Sequence, residues 1–264
     1  MIPPIIFLGG GRITNALCAG LRLAGDRLEI VVYDRNPQKT RRLRRESRVT
    51  VARDLESALK HAGILVVAVR PASVGQLLEQ LATCGVGKRL CISLAAGVPL
   101  RRLQQDLRGV RWARAMPSPV CRVARGLTAL CFARGVSKAD RARAKEVFQR
   151  VGQVAEIPEN QFDVFTTTYS SSHGYHALKT LAEAAQKSGL DRKTALAASA
   201  HALADGIAYW RESGCSLNEL LHEAATPGGI AAATMAGMDE GGYARVVRRG
   251  LAAGIARARR NAKK

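Results

Sequence analysis

The stretch FLGGGRITNAL near the amino terminus carries residue types that bind a phosphate through the backbone. Three glycines follow a short apolar run and precede an apolar pattern with helical spacing, so a helix begins where few side chains keep an anion away. Gly9 permits a tight turn, Gly11 permits close approach of a pyrophosphate, and Thr14 takes the third small position of a dinucleotide-binding loop. We predict that the N–H groups of Arg12 and Ile13 donate to the pyrophosphate.

An acid follows the second predicted strand, at the point where such sites bind the adenosine ribose. Asp34 ends the run IVVYD, and its carboxylate would accept hydrogen bonds from the ribose hydroxyls. A carboxylate repels a 2′-phosphate, whereas Arg35 and the neighbouring Lys39, Arg41 and Arg42 attract one. These cations also fit an ordinary exposed helix, so NADH and NADPH both remain open. The order of strand, glycine loop, helix, strand and acid favours a dinucleotide site over a merely structural turn.

Short apolar, β-branched runs alternate with helical patterns through the first part of the chain. We predict strands at 5–8 and 30–34, within GILVVAVRP and RLCISLAAG, and at 112–114, 127–132 and 153–157, with helices between them. This alternation is the pattern of βαβ units in a parallel sheet. The run GILVVAV has no polar alternation, which is typical of a central strand covered on both faces.

From Asn160 onward the β-branched runs disappear and alanine-rich helical segments replace them. We therefore predict an α/β fold class with two domains: a Rossmann-type dinucleotide-binding domain at 1–159 and an all-helical domain at 160–264. Helices rich in alanine on several faces commonly lie at helix interfaces. A helical domain of this size that is apolar on more than one face completes its core with a second subunit, so we expect a homodimer or larger homo-oligomer.

Net charge is the extreme bulk property of this chain. Its 264 residues include 41 lysines and arginines against 21 acids, a formal charge of +20. Clustered cations bind nucleic acid by releasing counterions. Here the arginines are spread over the whole length and are not gathered in one tail or one strand with interleaved aromatic residues. This spread favours a basic solvated surface, and we do not expect a nucleic-acid partner.

Other bulk features favour a globular protein of the cytoplasm. No apolar run is long enough to span a bilayer, and the amino terminus lacks a basic segment followed by a long apolar core. The six cysteines stand in apolar segments without a Cys-x-x-Cys pair, which is typical of reduced, buried thiols. We predict a cytoplasmic location, no membrane contact and no metal site.

Several segments, in shared order, resemble the pyrroline-5-carboxylate reductase family, whose members make proline by reducing a cyclic imine. FLGGGRITNALCAGL is similar to the family's nucleotide loop, VVAVRP to its strand ending in Val-Lys-Pro, and ISLAAGVPLRRL to its Ser-Ile-Ala-Ala-Gly segment. RAMPSPVCRVARGLTAL resembles its Arg-x-Met-Pro-Asn-Thr-Pro stretch, and ATPGGIAAATMAGMDEGGYARVV its Ser-Pro-Gly-Gly-Thr-Thr segment. The resemblance covers nearly the whole chain.

The resemblance implies a Rossmann domain and a dimerising helical domain, with the active site between the cofactor, NADPH or NADH, and helices of a second subunit. The cofactor contacts that it implies are Gly9, Gly11, Arg12, Ile13, Asp34, Arg35, Val69, Arg70, Pro71 and Ala95, together with the hydroxyl of Ser118 in place of the family's Asn. Three of these, Val69, Pro71 and Ala95, also fit plain sheet packing.

The implied substrate pocket departs from the family pattern in two segments. Residues 169–176 read YSSSHGYH where the family has Ser-Gly-Ser-Gly-Pro-Ala-Tyr, and Ile230 and Ala231 replace the hydroxyl residues after Gly-Gly. The candidate substrate-binding residues that remain are Ser171, Ser172, Gly228 and Gly229, and the candidate catalytic residues are His173 and Thr226. The serines also fit helix caps, and His173 also fits a partly exposed loop histidine.

The leading hypothesis is an NAD(P)H-dependent reductase of 1-pyrroline-5-carboxylate or a closely related cyclic imine. A protonated cyclic imine is already cationic, so its reduction needs positioning, an anchor for the carboxylate and limited acid catalysis. Two alternatives stay open: a dinucleotide-binding paralogue of that family with altered substrate or no turnover, and a nucleic-acid-associated protein that kept the fold.

Overall fold

One eight-stranded sheet organises the first part of the protein. The computed structural model describes residues 3–25 and 27–261. The strands are β1 (Ile5–Leu8), β2 (Ile30–Tyr33), β3 (Thr50–Val51), β4 (Ile64–Val67), β5 (Leu90–Ser93), β6 (Arg111–Met116), β7 (Gly126–Phe132) and β8 (Gly152–Glu156). They lie in the order β3-β2-β1-β4-β5-β6-β7-β8. The first six strands are parallel, as the Rossmann-type prediction requires.

Helices join the parallel strands and cover them, so that β1, β4 and β5 are buried along their whole length. The helices of this part are α1 (Arg12–Leu23), α2 (Pro37–Ser47), α3 (Leu55–Leu59), α4 (Val74–Cys84), α5 (Leu100–Asp106), α6 (Lys138–Gln149) and α7 (Glu159–Thr168). Local signals set several starts: the Asn36 side chain accepts from Gln38 N–H ahead of Pro37, and Asp54 and Ser57 cap α3 reciprocally. Along the chain, α2 therefore ends just before the short edge strand β3, and α3 begins just after it.

The last two strands run differently from the parallel sheet that the βαβ pattern predicts. β7 is antiparallel to β6, and β8 is parallel to β7. The chain between β6 and β7 holds only a short 3-10 helix, Pro119–Val123. A parallel connection needs a crossover of a dozen or more residues, so this short segment turns the chain back. Strand β3 was not predicted either, because two residues give no periodicity.

A buried arginine attaches α7 to the sheet. Arg114 of β6 is 2% exposed, and its guanidinium lies 3.2 Å from the Glu159 carboxylate, 3.7 Å from that of Asp163, and 4.2 Å from the centre of the Phe162 ring. The Leu127 N–H also donates to the Tyr169 hydroxyl at 2.7 Å. A buried cation requires such partners, so α7 packs with the sheet that precedes it.

The chain folds as two compact units. Of the described residues, the first unit comprises 3–25, 27–169 and 253–261, and the second comprises 170–252. Residues 160–169 and 253–261, which we predicted in the helical domain, group by their contacts with the unit that holds the sheet. The Arg114 contacts explain the first of these differences. The domain boundary between 159 and 160 stays a prediction.

The second unit is helical and leaves much apolar surface in water. It contains α8 (Ser171–Lys187), α9 (Arg192–Ser213), α10 (Leu217–Ala224), α11 (Ile230–Glu240) and most of α12 (Tyr243–Asn261). Within residues 170–252, all described, only Ala182, Ala195 and Ser199 are buried. Its exposed large apolar side chains are Tyr175, Leu190, Leu196, Ile207, Tyr209, Trp210, Leu217, Leu221, Ile230, Met238, Tyr243, Val246 and Val247. Among the described helices, none is long and apolar enough to cross a membrane.

Close packing of α1 on the 3-10 helix depends on Gly20. A Cβ on Gly20 would overlap the backbone carbonyl of Cys121 and lie 3.1 Å from a methyl of Val151. The Arg122 guanidinium also donates to the Asn15 side-chain oxygen across the same contact. These contacts with the 3-10 helix therefore fix the position of α1, the helix that follows the glycine loop.

Gly20→Ala should lower the free energy of unfolding by about 1 to 3 kcal/mol, because the added methyl displaces backbone. Gly75→Ala is the matched control: it also lies in a helix of the first unit, and its Cβ would meet only the end of Arg102 at 3.7 Å. Without a clash, the control should be neutral or slightly stabilising. Urea unfolding followed by circular dichroism measures both, and equal midpoints for Gly20→Ala and the unaltered protein would contradict this packing.

Candidate active site

The carboxyl ends of β1, β2 and β4 meet at one edge of the sheet. Leu8 pairs with Tyr33 on one side and Val67 on the other. The strand order reverses between β1 and β4, and open α/β sheets bind ligands in the crevice at such a switch point. A cavity of about 710 Å³ lies there, large enough for part of a dinucleotide.

The three glycines of the loop after β1 differ in how much room their surroundings leave for a side chain. Gly9 has φ +117°, and a Cβ there would lie 2.6 Å from the carbonyl oxygen of Ala68, directly after β4. A Cβ on Gly10 would lie 3.2 Å from a methyl of Leu43. On Gly11 a Cβ meets no described atom within 4 Å, and φ is −75°. The protein's own packing therefore requires glycine at position 9, leaves little room for a side chain at position 10 and leaves position 11 open.

Helix α1 begins directly after Gly11, and its amino-terminal end lines the cavity. Gly11 is the N-cap, with no side-chain cap hydrogen bond and no acid in the first turn. Gly11, Arg12 and Ile13 all line the cavity. The Thr14 hydroxyl donates to the Gly9 carbonyl at 2.6 Å and so fixes the loop from inside. An uncapped helix start with a clear approach fits an anionic phosphate group.

Asp34 follows β2 and holds the same loop through its carboxylate. One oxygen accepts from Gly10 N–H at 2.8 Å and from the Lys39 ammonium at 3.3 Å, and the other accepts from Asn36 N–H at 2.8 Å. Burial raises the pKa of this carboxyl, but the hydrogen bonds and Lys39 outweigh it and leave the pKa below its ordinary value. The stabilising contribution of this carboxylate is full above its unfolded pKa and is lost as pH falls through the lowered folded value.

The structure brings together most of the predicted cofactor-binding residues. The cavity lining includes Gly9, Gly11, Arg12, Ile13, Asp34, Arg35, Val69 and Arg70. Three others lie apart from that lining. Pro71 starts a short 3-10 helix, Ala95 is buried in the core, and the Ser118 hydroxyl accepts from Val120 N–H at 3.3 Å as a helix cap. A cofactor role for these three stays a prediction.

The cavity also has lining residues that the motif did not identify. Tyr33 ends β2, Ser73 precedes α4, and Gln76, Leu77 and Gln80 lie on α4. The α4 residues recur at helical spacing, which the sequence shows. Their orientation toward the cavity depends on how α4 packs on the sheet, which the sequence does not show.

At the start of the second unit, the predicted substrate residues lie in the first turn of α8. The Ser170 hydroxyl is the N-cap of α8, accepts from Ser172 N–H at 3.4 Å and lies 2.7 Å from the Ser172 hydroxyl. His173 is exposed in this turn, not in a loop, and its N–H donates to the Ser170 carbonyl at 3.0 Å. The helix-cap alternative is thus confirmed for Ser170, and substrate roles for Ser171, Ser172 and His173 stay predictions.

The other predicted substrate segment is a tight turn before α11. Gly229 N–H donates to the Thr226 carbonyl at 2.9 Å, Pro227 occupies the second position, and Gly228 has φ +76°, as a type II turn requires. Gly229 is the N-cap of α11, with no side-chain cap bond and no acid in the first turn. Ile230, the first helical residue, is 89% exposed. This turn leaves the N–H end of α11 accessible.

Four buried cysteines are poorly suited to nucleophilic chemistry, and the described residues offer no metal-binding cluster. Burial raises the pKa of the Cys18, Cys91, Cys121 and Cys131 thiols to about 12, so these four are protonated at neutral pH. Over 3–25 and 27–261, no group of three or more His, Cys, Asp or Glu side chains has the arrangement to hold a metal ion.

Gly11→Val should weaken dinucleotide binding by at least about tenfold, or about 1.4 kcal/mol, because a branched side chain would occupy the phosphate position. Since a Cβ at this position meets no described atom, the thermal midpoint of the free protein should change little. A fluorescence titration with NADPH and NADH measures the affinity. Unchanged affinity for both would contradict the placement of the phosphate at this loop.

Two family models together match most of the chain. Residues 4–97 match "NADP oxidoreductase coenzyme F420-dependent", and residues 159–261 match "Pyrroline-5-carboxylate reductase dimerisation". The chain is 30% identical to a pyrroline-5-carboxylate reductase of Mycobacterium tuberculosis, with 90% of each covered. It is also similar to a solved pyrroline-5-carboxylate reductase of Coxiella burnetii, at 25% identity and a TM-score of 0.89 over 100% of both chains. A Plasmodium falciparum pyrroline carboxylate reductase with NADP bound shares the fold, at 20% identity and a TM-score of 0.87 over 98% of both. The chain belongs to the pyrroline-5-carboxylate reductase family.

Proposed function

We propose that this protein is an NAD(P)H-dependent oxidoreductase that acts on a C=N bond and reduces 1-pyrroline-5-carboxylate, or a closely related cyclic imine, to the saturated amine. The observation that carries the proposal is the open glycine loop at the sheet's switch point. In a chain of this family, Gly11 has no packing reason to be glycine and faces a cavity beside an uncapped helix start. That combination fits a dinucleotide phosphate better than a structural turn.

The first unit would hold the cofactor through its backbone and its cations. The N–H groups of Arg12 and Ile13 would donate to the pyrophosphate, Asp34 and Arg35 would be nearest the adenosine ribose, and Val69 and Arg70 would be nearest the nicotinamide; all six residues line the cavity. A reduced nicotinamide, when bound, supplies the hydride that adds to the imine carbon. Pro71, Ala95 and Ser118 belong to the same proposal by family resemblance, with less support because they do not line the cavity.

The second unit would bind the imine and its carboxylate. The accessible N–H end of α11, reached through Gly228 and Gly229, suits a carboxylate because helix amino termini stabilise anions. Thr226 adds a hydroxyl beside this turn, and Ser171 and Ser172 lie in the first turn of α8, a second helix start. These residues are the proposed substrate-binding set.

Proton supply is the smaller part of the reaction. Hydride addition converts the C=N bond to C–N, and the nitrogen ends as a secondary amine, so one proton must be on the nitrogen before or after transfer. A protonated cyclic imine already carries it. His173, exposed at the start of α8, is the proposed donor for any imine that arrives neutral, because histidine is the side chain that most often transfers protons in enzymes.

The helical unit would complete its core with a second copy of the chain. Only three of its residues are buried, while thirteen large apolar side chains are exposed, and the family model over 159–261 is a dimerisation domain. We therefore propose a homodimer or larger assembly. We also propose a cytoplasmic location, which rests on the similarity to pyrroline-5-carboxylate reductases. The spread of exposed arginines supports a solvated basic surface and not a nucleic-acid interface.

The test is oxidation of NADPH and NADH against a panel of cyclic imines with and without an attached carboxylate. We expect saturable turnover with 1-pyrroline-5-carboxylate or a near relative, and slower turnover of the imine that lacks the carboxylate, because it loses its anchor. Cofactor binding without oxidation of any imine would contradict the proposal and favour the paralogue without turnover.

The altered pocket leads to a gain-of-function prediction. Ile230→Thr with Ala231→Thr should raise kcat/KM for 1-pyrroline-5-carboxylate, since each charge-assisted hydrogen bond restored to the carboxylate contributes roughly 1.5 to 3 kcal/mol. The change should appear mainly in KM, because the carboxylate is bound in ground and transition states alike.

A variant in the other segment separates anchoring from proton supply. His173→Ala should lower turnover and flatten its pH dependence near neutrality while KM stays nearly unchanged. No gain from the double threonine variant, together with an unchanged rate and pH profile for His173→Ala, would contradict the proposed substrate placement.

A further inference from the structure

The inference rests on the proposed function and concerns which nicotinamide dinucleotide the cavity prefers. An acid after the second strand of a dinucleotide-binding domain normally favours NADH, because its carboxylate accepts from the ribose hydroxyls and repels a 2′-phosphate. Asp34 stands at that position. Its contacts in this protein differ from what that role requires.

The Asp34 carboxylate is already committed within the protein. It accepts from Gly10 N–H, from Asn36 N–H and from the Lys39 ammonium, and its side chain is 12% exposed. A carboxylate offers about four acceptor positions, so three contacts leave too few for both hydroxyls of a ribose. Asp34 shapes the glycine loop, and its capacity to bind a ribose diol is small.

Lys39 offsets the negative charge of Asp34. Its ammonium lies 3.3 Å from the carboxylate, while its side chain remains 48% exposed. A lysine ammonium has three N–H donors, and one contact to Asp34 leaves donors for an anion on the solvent side. The pair as a whole is neutral, so a 2′-phosphate near it does not meet an uncompensated carboxylate.

Arg35 adds a further positive charge to the lining of the cavity. Its guanidinium contacts the side-chain oxygen of Gln76 at 3.3 Å, and Arg35, Gln76 and Lys39 all line the cavity. The described lining carries four cations, Arg12, Arg35, Lys39 and Arg70, and one acid, Asp34. The excess of positive charge suits a ligand with an additional phosphate.

We propose that the site prefers NADPH, with Arg35 and Lys39 as the residues that bind the adenosine 2′-phosphate and with Lys39 also masking Asp34. Asp34 then determines loop structure and not the choice of cofactor. The preference for NADPH follows from Arg35 and Lys39, one and five residues after the acid, whereas the acid alone predicts a preference for NADH.

Dissociation constants for NADPH and NADH, measured by fluorescence titration of the full chain, test the proposal. We expect NADPH to bind at least about tenfold more tightly, by a margin that narrows as salt is added. Arg35→Gln and Lys39→Gln should each weaken NADPH about tenfold or more while changing NADH little. Arg44→Gln is the matched control, because Arg44 is an exposed cation of α2, the helix that also contains Lys39, and does not line the cavity. This variant should change the affinity for neither cofactor.

A double variant tests the masking role separately. If Lys39 masks Asp34, adding Asp34→Asn to Lys39→Gln should restore part of the NADPH affinity, because the isosteric amide removes the exposed charge. Equal affinities for the two cofactors in the unaltered protein, or equal losses of both in Arg35→Gln and Lys39→Gln, would overturn the preference. No recovery in the double variant would overturn the masking. Failure to bind either cofactor would contradict the proposed function itself.

Discussion

The close approach of the glycine loop to the neighbouring strand is the constraint on which the candidate site depends. With Gly9 at φ +117° and its Cβ position 2.6 Å from the Ala68 carbonyl, the chain turns at the end of β1 without leaving the sheet's switch point. Thr14 then fixes the loop from inside and Asp34 from the side of β2. Since these contacts hold the loop, Gly11 needs no packing partner, and its bare helix start faces the cavity.

Most strands of the first part were predictable in order and type, because a parallel sheet has continuous apolar strands and loops that meet at one edge. The two-residue strand β3 and the antiparallel direction of β7 were not predictable in this way. The same regularity brings Gly9, Asp34 and Val69 together, since each lies within two residues of a strand end. Contacts far apart in the chain were not predictable. Arg114 contacts Glu159, which lies 45 residues later in the sequence. The presence of an arginine in a strand does not predict which acids it will contact. The commitment of Asp34 to Gly10 and Lys39 likewise depends on side-chain conformation, which a motif does not encode.

The helical unit shows how an incomplete core indicates assembly. Alanines at close-packing positions bury little surface in one copy, while Tyr209, Trp210 and Val246 remain exposed. Burial of such side chains is worth roughly 1.5 to 3 kcal/mol each, so a second copy gains much by covering them. The same unit carries the uncapped start of α11 and the exposed Ile230, where this chain departs from its family's hydroxyl residues. Under the proposed function, assembly and substrate choice would therefore depend on the same part of the chain.

The proposed reaction is hydride transfer from a nicotinamide to the carbon of a cyclic imine. Incubation of the protein with 1-pyrroline-5-carboxylate and NADPH deuterated at both C4 positions, followed by mass spectrometry of the amine formed, tests this transfer directly. If the protein catalyses this transfer, the product is proline that carries one deuterium atom on the former imine carbon, formed at the same rate as the cofactor is oxidised. Oxidation without deuterium in the amine, or no amine from this imine or its close relatives, would contradict it.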